Sequence, residues 1–267
     1  MTYSNDTFVT PEGGAWVFKI GFLVTTAIHF GLAIYTKTWF ECWYIIGGIL
    51  EAVGYFCINT DEGGQSLEIY LAPIFMAATV YMCFGRVISS LEANKLALIS
   101  GRKLTALFVI GDILCFFTQC AGIVLQYDFN NLETIGKIIA IISFTLQLVL
   151  FTFFLANAIV VHRRLILTQH PRTLNAKIQW PTYFKANYVV IFLFFVRIIF
   201  RVIEYAQGLG YIFFHTIFIY CFDATPLFAA SLVLIAVYPP LAIVRKEPEP
   251  EELTASSEEP DTESKVA

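Results

Sequence analysis

Charge is scarce in this 267-residue chain. Lys, Arg, Asp and Glu make up 14% of it, against 57% hydrophobic residues, where a soluble domain carries about 25% charge. With a mean hydropathy of +0.69, that shortage excludes an ordinary soluble domain and predicts a polytopic membrane protein. There is no basic stripe interleaved with exposed aromatics, so nucleic acid is not expected as a partner. The six cysteines, Cys42, Cys57, Cys83, Cys115, Cys120 and Cys221, contain no CxxC pair. That argues against a disulfide framework and a zinc site, and they read as small packing residues in apolar segments. Only four histidines occur, His29, His162, His170 and His215, at different levels and without an HxxxH pair. No GxSxG elbow is present either, so neither a metal-dependent nor a serine hydrolase is expected. The chain also lacks a P-loop, which argues against transport driven by ATP. No lysine lies in the last apolar run to carry retinal, and neither a DRY-like nor an NPxxY-like motif points to a conventional G-protein-coupled receptor. Without an internal repeat, an inverted-repeat transporter has no support. No cofactor is implied, and the chain is not expected to be an enzyme.

What the chain has is long apolar runs. A helix needs about 20 apolar residues to cross the hydrocarbon core, and seven stretches qualify: 16–36, 39–59, 67–91, 104–126, 134–161, 183–205 and 215–238. The fifth is long enough to tilt or protrude. The first has no basic n-region ahead of it and is expected to serve as an uncleaved targeting signal. The connections alternate in charge. The N-terminal segment and the loops 60–66, 127–133 and 206–214 hold no Lys or Arg. The opposite side holds Lys37, Lys95, Arg102, Lys103, Arg163, Arg164, Arg172, Lys177, Arg245 and Lys246. The positive-inside rule makes that side cytosolic, and an odd number of helices places the N-terminus outside. The expected organisation is an outer segment 1–15, an all-α seven-helix transmembrane bundle 16–240, and an acidic cytosolic tail 241–267 without a core. Asn5-Asp6-Thr7 is a glycosylation sequon on the predicted outer side. Ser256 and Ser257, ahead of Glu258 and Glu259, are candidate phosphorylation sites. The 26 Phe and 13 Tyr suit lipid contact and interfacial anchoring.

Ionisable residues within the helices are the candidate functional residues, because a charge at a helix centre costs ~2.5–3.5 kcal/mol on the insertion scale and normally faces a partner. In the sixth run, Arg197, Arg201 and Glu204 are spaced i, i+4 and i+7 and share a face. Arg201 can pair with Glu204, and Arg197 then needs an acid from elsewhere. In the fourth, Asp112, Gln119 and Gln126 recur every seven residues. Glu51 lies mid-membrane in the second, with Gly47 and Gly54 on its face permitting close helix approach. Asp223 sits in the outer half of the seventh, beside Pro226. Arg86 is expected to snorkel at the inner end of the third. Glu51, Asp112 and Asp223 are expected to surround Arg197 and Arg201. The cluster then serves either as ion pairs fixing helix packing or as a polar cleft for a charged headgroup or protons.

Read in order, several residues carry a resemblance. The second run has Glu51 and Gly54-Tyr55. The third has Leu71-Ala72-Pro73, Ala77-Ala78, Tyr81-Met82 and Gly85-Arg86. The fourth has Gly111-Asp112, Gln119, Ala121 and Gly122. The sixth has Arg197, Phe200-Arg201, Glu204-Tyr205 and Gly208, and the seventh Phe222-Asp223 and Pro226. Over residues 16–240 the chain resembles the fungal RTA-like proteins, the lipid-translocating exporter family. It departs from them at Ile58, where a basic residue is common, and after Gly122, where Ile123 replaces further glycine. The resemblance implies seven helices and residence in the plasma membrane or an endomembrane. It also implies the movement of amphiphilic lipids such as sphingoid bases, tolerance of toxic amphiphiles, or uptake of porphyrins. On that reading the partner is a membrane lipid or small amphiphile, its ammonium received by Glu51, Asp112 or Asp223, with Glu51 or Asp112 coupling movement to a pH gradient. A seven-helix sensor that does not transport is the alternative.

Overall fold

A computed structural model describes residues 12–57, 67–99, 101–128, 132–168, 180–207, 211–215 and 217–238. Asn5, Ile58, His170, Arg172, Lys177, Gly208, Arg245, Lys246 and the acidic tail with Ser256 and Ser257 lie outside the described residues. The described chain is all helical. The helices are α1 (Glu12–Thr36), α2 (Cys42–Cys57), α3 (Leu67–Ser90), α4 (Gly101–Asp128), α5 (Glu133–Leu167), α6 (Trp180–Gln207) and α7 (Ile217–Val237). A 3-10 turn, Trp39–Glu41, leads into α2, and a single turn, Tyr211–Phe214, precedes α7. Six of the seven are long and apolar enough to span a bilayer by themselves. The fifth is longer than expected: its 35 residues extend ~52 Å, well beyond a ~30 Å hydrocarbon core.

Each helix packs against the next, and α7 closes the ring by packing on α1 and α6. Within that ring α3 is the central element. Its apolar window is 78% buried, against 22% for α1, because Ala72, Ala77 and Ala78 let neighbouring helices approach on several sides. Glycine brings α2 close to both of its neighbours. A Cβ on Gly47 would stand 2.8 Å from the carbonyl oxygen of Ala72 on α3, and one on Gly48 would collide with the Thr26 hydroxyl of α1. Gly122 does the same for α4 and α5, since a Cβ there would meet the Ala140 nitrogen at 2.8 Å and the Gly136 oxygen at 2.9 Å. Both atoms are backbone and have no rotamer by which to yield. Gly122→Val is therefore expected to cost about 1–3 kcal/mol, read as a lower unfolding temperature in detergent by circular dichroism.

The aromatic residues are not mainly a lipid-facing coat. Tyr81, Phe84, Phe108, Phe151, Phe154 and Phe184 are all essentially sealed from the surface, with Tyr81 edge-on to Phe154 at 4.8 Å and Phe84 edge-on to Phe154 at 5.1 Å. In a bilayer the lipid tails already satisfy apolar side chains, so close ring packing is one of the few attractive terms left between helices. The end of the bundle that carries Lys37 and Lys95 is tied by polar contacts. Asn157 Oδ1 accepts from the Leu98 amide at 2.9 Å, and Arg164 Nη1 donates to the Leu96 carbonyl at 2.9 Å. Arg86 is exposed there and lies over the Phe40 ring at 4.1 Å. At the opposite end Lys19 lies over Trp16 and Phe56, 4.3 and 3.7 Å from their centroids.

Candidate functional site: a sealed ion-pair cluster

Two helix irregularities, each tied to a proline, build the site. In α3, Pro73 has no N–H for the carbonyl of Ile69 one turn earlier. That carbonyl accepts instead from Arg197 Nη2 of α6 at 3.1 Å. In α7, Pro226 cannot donate to Phe222, and the preceding turn widens into a π-helical stretch, Tyr220–Ala224. The amide and the hydroxyl of Thr225 both reach the Tyr220 carbonyl. This turn carries Asp223 between the two arginines. Single π turns of this kind recur at functional sites.

Arg201 is the hub, fully buried at 0% exposure. It forms a two-point fork with Asp223, from Nε to Oδ1 at 3.1 Å and from Nη2 to Oδ2 at 2.7 Å. Its Nη1 donates to Glu204 Oε2 at 2.8 Å and to the Tyr70 hydroxyl at 3.1 Å. Tyr205 donates to the same Tyr70 oxygen at 2.7 Å, and the guanidinium lies 4.5 Å from the Tyr70 ring centroid. Arg197 reaches Asp223 too, Nε to Oδ1 at 2.8 Å. Thus Arg197 finds its acid on α7, while Arg201 takes both its own-helix partner and the shared aspartate.

Glu51 completes the group and differs from the other acids. It interacts electrostatically with Asp223, Arg197 and Arg201 and is 0% exposed. Neither of its carboxylate oxygens has a hydrogen-bond partner among the described residues. With all groups ionised, two guanidiniums would face the three carboxylates of Glu51, Glu204 and Asp223, of which Glu51 is the one without a hydrogen bond.

Asp112 and Gln119 are not part of this cluster, contrary to the grouping expected from sequence. Asp112 accepts from Tyr81 of α3 at 3.0 Å. Gln119 Nε2 donates to Gln147 Oε1 of α5 at 3.1 Å, and Gln147 also faces Asp112. This is a separate, uncharged-partner site between α3, α4 and α5. A seven-residue repeat fixes the face of a helix but says nothing of which neighbour that face meets. Tyr70 and Gln147 were not singled out in the sequence. For Tyr70 the usable signal was Pro73, which marks the neighbouring Ile69 carbonyl as open to a donor; for Gln147 it was an amide near the middle of the long fifth run.

Pro73→Ala restores an N–H to α3 and makes it compete with Arg197 for the Ile69 carbonyl. The expected outcome is a straighter α3 and a looser Arg197, lowering the unfolding temperature although alanine is the better helix former by ~3 kcal/mol. An unfolding temperature above wild type would show that Arg197 does not depend on that carbonyl.

Seven packed helices around a sealed ion-pair cluster define an all-α multi-pass membrane protein. Within that class, the chain belongs to the RTA1-like family: residues 44–247 match the family described as "RTA1 like protein". It is similar to protoporphyrin uptake protein 1 of Saccharomyces cerevisiae, 34% identical over 207 residues, covering 72% of this chain and 65% of that protein. It is also similar to protein RTM1 of Saccharomyces cerevisiae, 32% identical over 71% of this chain and 64% of the relative. The probable lipid transporter atnI of Emericella nidulans is 28% identical over 85% of this chain and 65% of its own length. The chain thus spans about 65% of the length of these relatives. No solved structure matches.

Proposed function

We propose that this chain is a translocator, not an enzyme, and that it carries a cationic amphiphile across the bilayer, with the headgroup passing through the ion-pair cluster and the hydrocarbon remaining in lipid. The observation that carries this reading is Glu51, a fully buried carboxylate with no hydrogen bond beside a neutralised Asp223. An ammonium would bring the one positive charge the cluster lacks and donate to the oxygens left open. Asp223 and Glu204 are already engaged by arginine, so Glu51 is the receiving group and the arginines hold its surroundings in place. Sphingoid long-chain bases have this chemistry: one ammonium and one long chain. The predicted orientation, with the N-terminus outside and the basic loops cytosolic, fits a route between leaflets of the plasma membrane or an endomembrane. Asp112, in its own layer, is assigned a helix-packing role in this scheme.

Porphyrin movement is the second reading, favoured by the relative named for protoporphyrin uptake. A porphyrin brings carboxylates, which would have to engage the arginines. The test is flux of a fluorescent sphingoid base across liposomes that contain the purified chain, with protoporphyrin and a zwitterionic phospholipid as parallel probes. Protein-dependent movement of the base alone supports the proposal. Movement of protoporphyrin alone transfers the role from Glu51 to Arg197 and Arg201. No movement of any probe by folded protein would turn the assignment to a sensor.

A further inference from the structure

Glu51 also belongs to a file of buried protonatable groups whose other members the cluster does not use. Along the 3-10 turn and α2, Glu41, Tyr44, Glu51 and Tyr55 fall at spacings of three, seven and four on one face, covering ~21 Å of helix. All four are essentially sealed from the surface. At the bottom, near Lys37, Glu41 faces His29 of α1, with Nδ1 to Oε2 at 3.6 Å. Its other oxygen accepts from the Cys83 thiol of α3 at 3.7 Å. The Tyr44 ring lies 4.0 Å from the His29 ring. Its hydroxyl faces Ser231 of α7 and feels both Glu41 below and Glu51 above. Thr26 of α1 reaches into the same seam at Gly48.

These groups share an unusual property. Thr26 Oγ1, both ring nitrogens of His29, Glu41 Oε2, the hydroxyls of Tyr44 and Tyr55, Ser231 Oγ and both oxygens of Glu51 are buried without a hydrogen-bond partner among the described residues. One orphan is a packing defect, but a set of them shared by α1, α2 and α7 is a polar seam, since each buried orphan costs about 1–3 kcal/mol. Each member can accept a proton on one atom and release one from the same or another.

We propose that this seam is a proton route between the end of the bundle bearing Lys37 and the carboxylate of Glu51. A proton binds at the His29–Glu41 pair and passes by hydroxyl exchange through Tyr44 and Ser231: at each step one O–H or N–H bond breaks as the next forms, and Glu51 ends as the neutral acid. Return of the proton regenerates the carboxylate. The charged and titratable groups bordering the route are Cys83, Tyr238 and Arg86 around Glu41 and His29, and Asp223, Arg197, Arg201 and Tyr55 around Glu51. For its purpose the route rests on the transport reading, because a proton and an ammonium would exclude each other at Glu51.

The test uses the purified full chain in liposomes loaded with a pH-sensitive dye. Proton flux is driven by a potassium–valinomycin potential, with and without a sphingoid base, and base exchange is followed separately. Tyr44→Phe is the decisive variant, because it deletes only the hydroxyl that faces Ser231 and leaves the ring on His29. The expected result is protein-dependent proton flux that falls at least about tenfold in Tyr44→Phe and equally in Glu41→Gln, with base exchange unchanged. Base exchange without any protein-dependent proton flux, or flux indifferent to both variants, overturns the route and leaves transport standing. Proton flux without movement of the base overturns the transport reading and leaves the route. Neither activity in folded protein overturns both.

Discussion

Arg201→Ala is expected to destabilise the bundle by about 3–5 kcal/mol, the usual effect of removing one partner from a buried charge pair. Arg201 is 0% exposed and is held by Asp223, Glu204 and Tyr70 together. Truncation leaves Glu204 without its guanidinium in a low-dielectric interior and leaves Asp223 with Arg197 alone. Arg201→Lys should recover only part of the loss. An ammonium keeps the charge, but a point donor cannot fork onto both oxygens of Asp223. The check is thermal unfolding in detergent, alongside the amount of protein reaching the membrane. A variant Arg201→Ala within about 1 kcal/mol of wild type would mean that the ion pairs return no more than their desolvation cost.

The opposite pattern is expected of Glu51→Gln. Glutamine removes a buried carboxyl group that has no hydrogen bond, so stability should hold or rise. Headgroup affinity should fall by about 1.5–3 kcal/mol, the value of a hydrogen bond to a charged group, or roughly 10- to 150-fold in binding. The two variants therefore separate scaffold from site: one loses fold and flux together, the other flux alone. Acidification acts on Glu51 in the same sense as glutamine. Ammonium binding by wild type should weaken as the pH drops far enough to protonate Glu51, and the Glu51→Gln variant should lose that pH dependence. Equal pH profiles for the two proteins would remove Glu51 from the site.

Much of this architecture is legible in the residues. Apolar run length predicts the seven helices, because membrane insertion responds to summed hydropathy and to little else. The i, i+4, i+7 spacing in the sixth run gives the shared face of Arg197, Arg201 and Glu204 without any knowledge of neighbours. Partner choice is where legibility ends. Asp112 and Asp223 look alike in sequence, yet one meets a tyrosine and the other two arginines. The difference lies in which helices adjoin, and hydropathy does not encode that. Tyr70 was hidden by residue type, since tyrosine in a membrane chain reads first as an interfacial anchor. His29 looked isolated because its acid, Glu41, sits in a 3-10 turn across a chain reversal and not on its own helix.

The wide turn at Tyr220–Ala224 has a consequence for how α7 can vary. It holds an additional residue relative to an α-helical path, and one residue is ~100° of rotation about the axis. The turn is thus a phase joint between two helical halves. Asp223, within it, keeps time with Arg197 and Arg201, whereas Ser231 further along keeps time with Tyr44 of α2. Deleting the exposed Cys221 would leave both halves helical and the hydropathy of the run intact, but it would turn one half out of step with the other. Substitutions in α7 that preserve its apolar character are therefore a weaker threat to this protein than a change of length by a single residue.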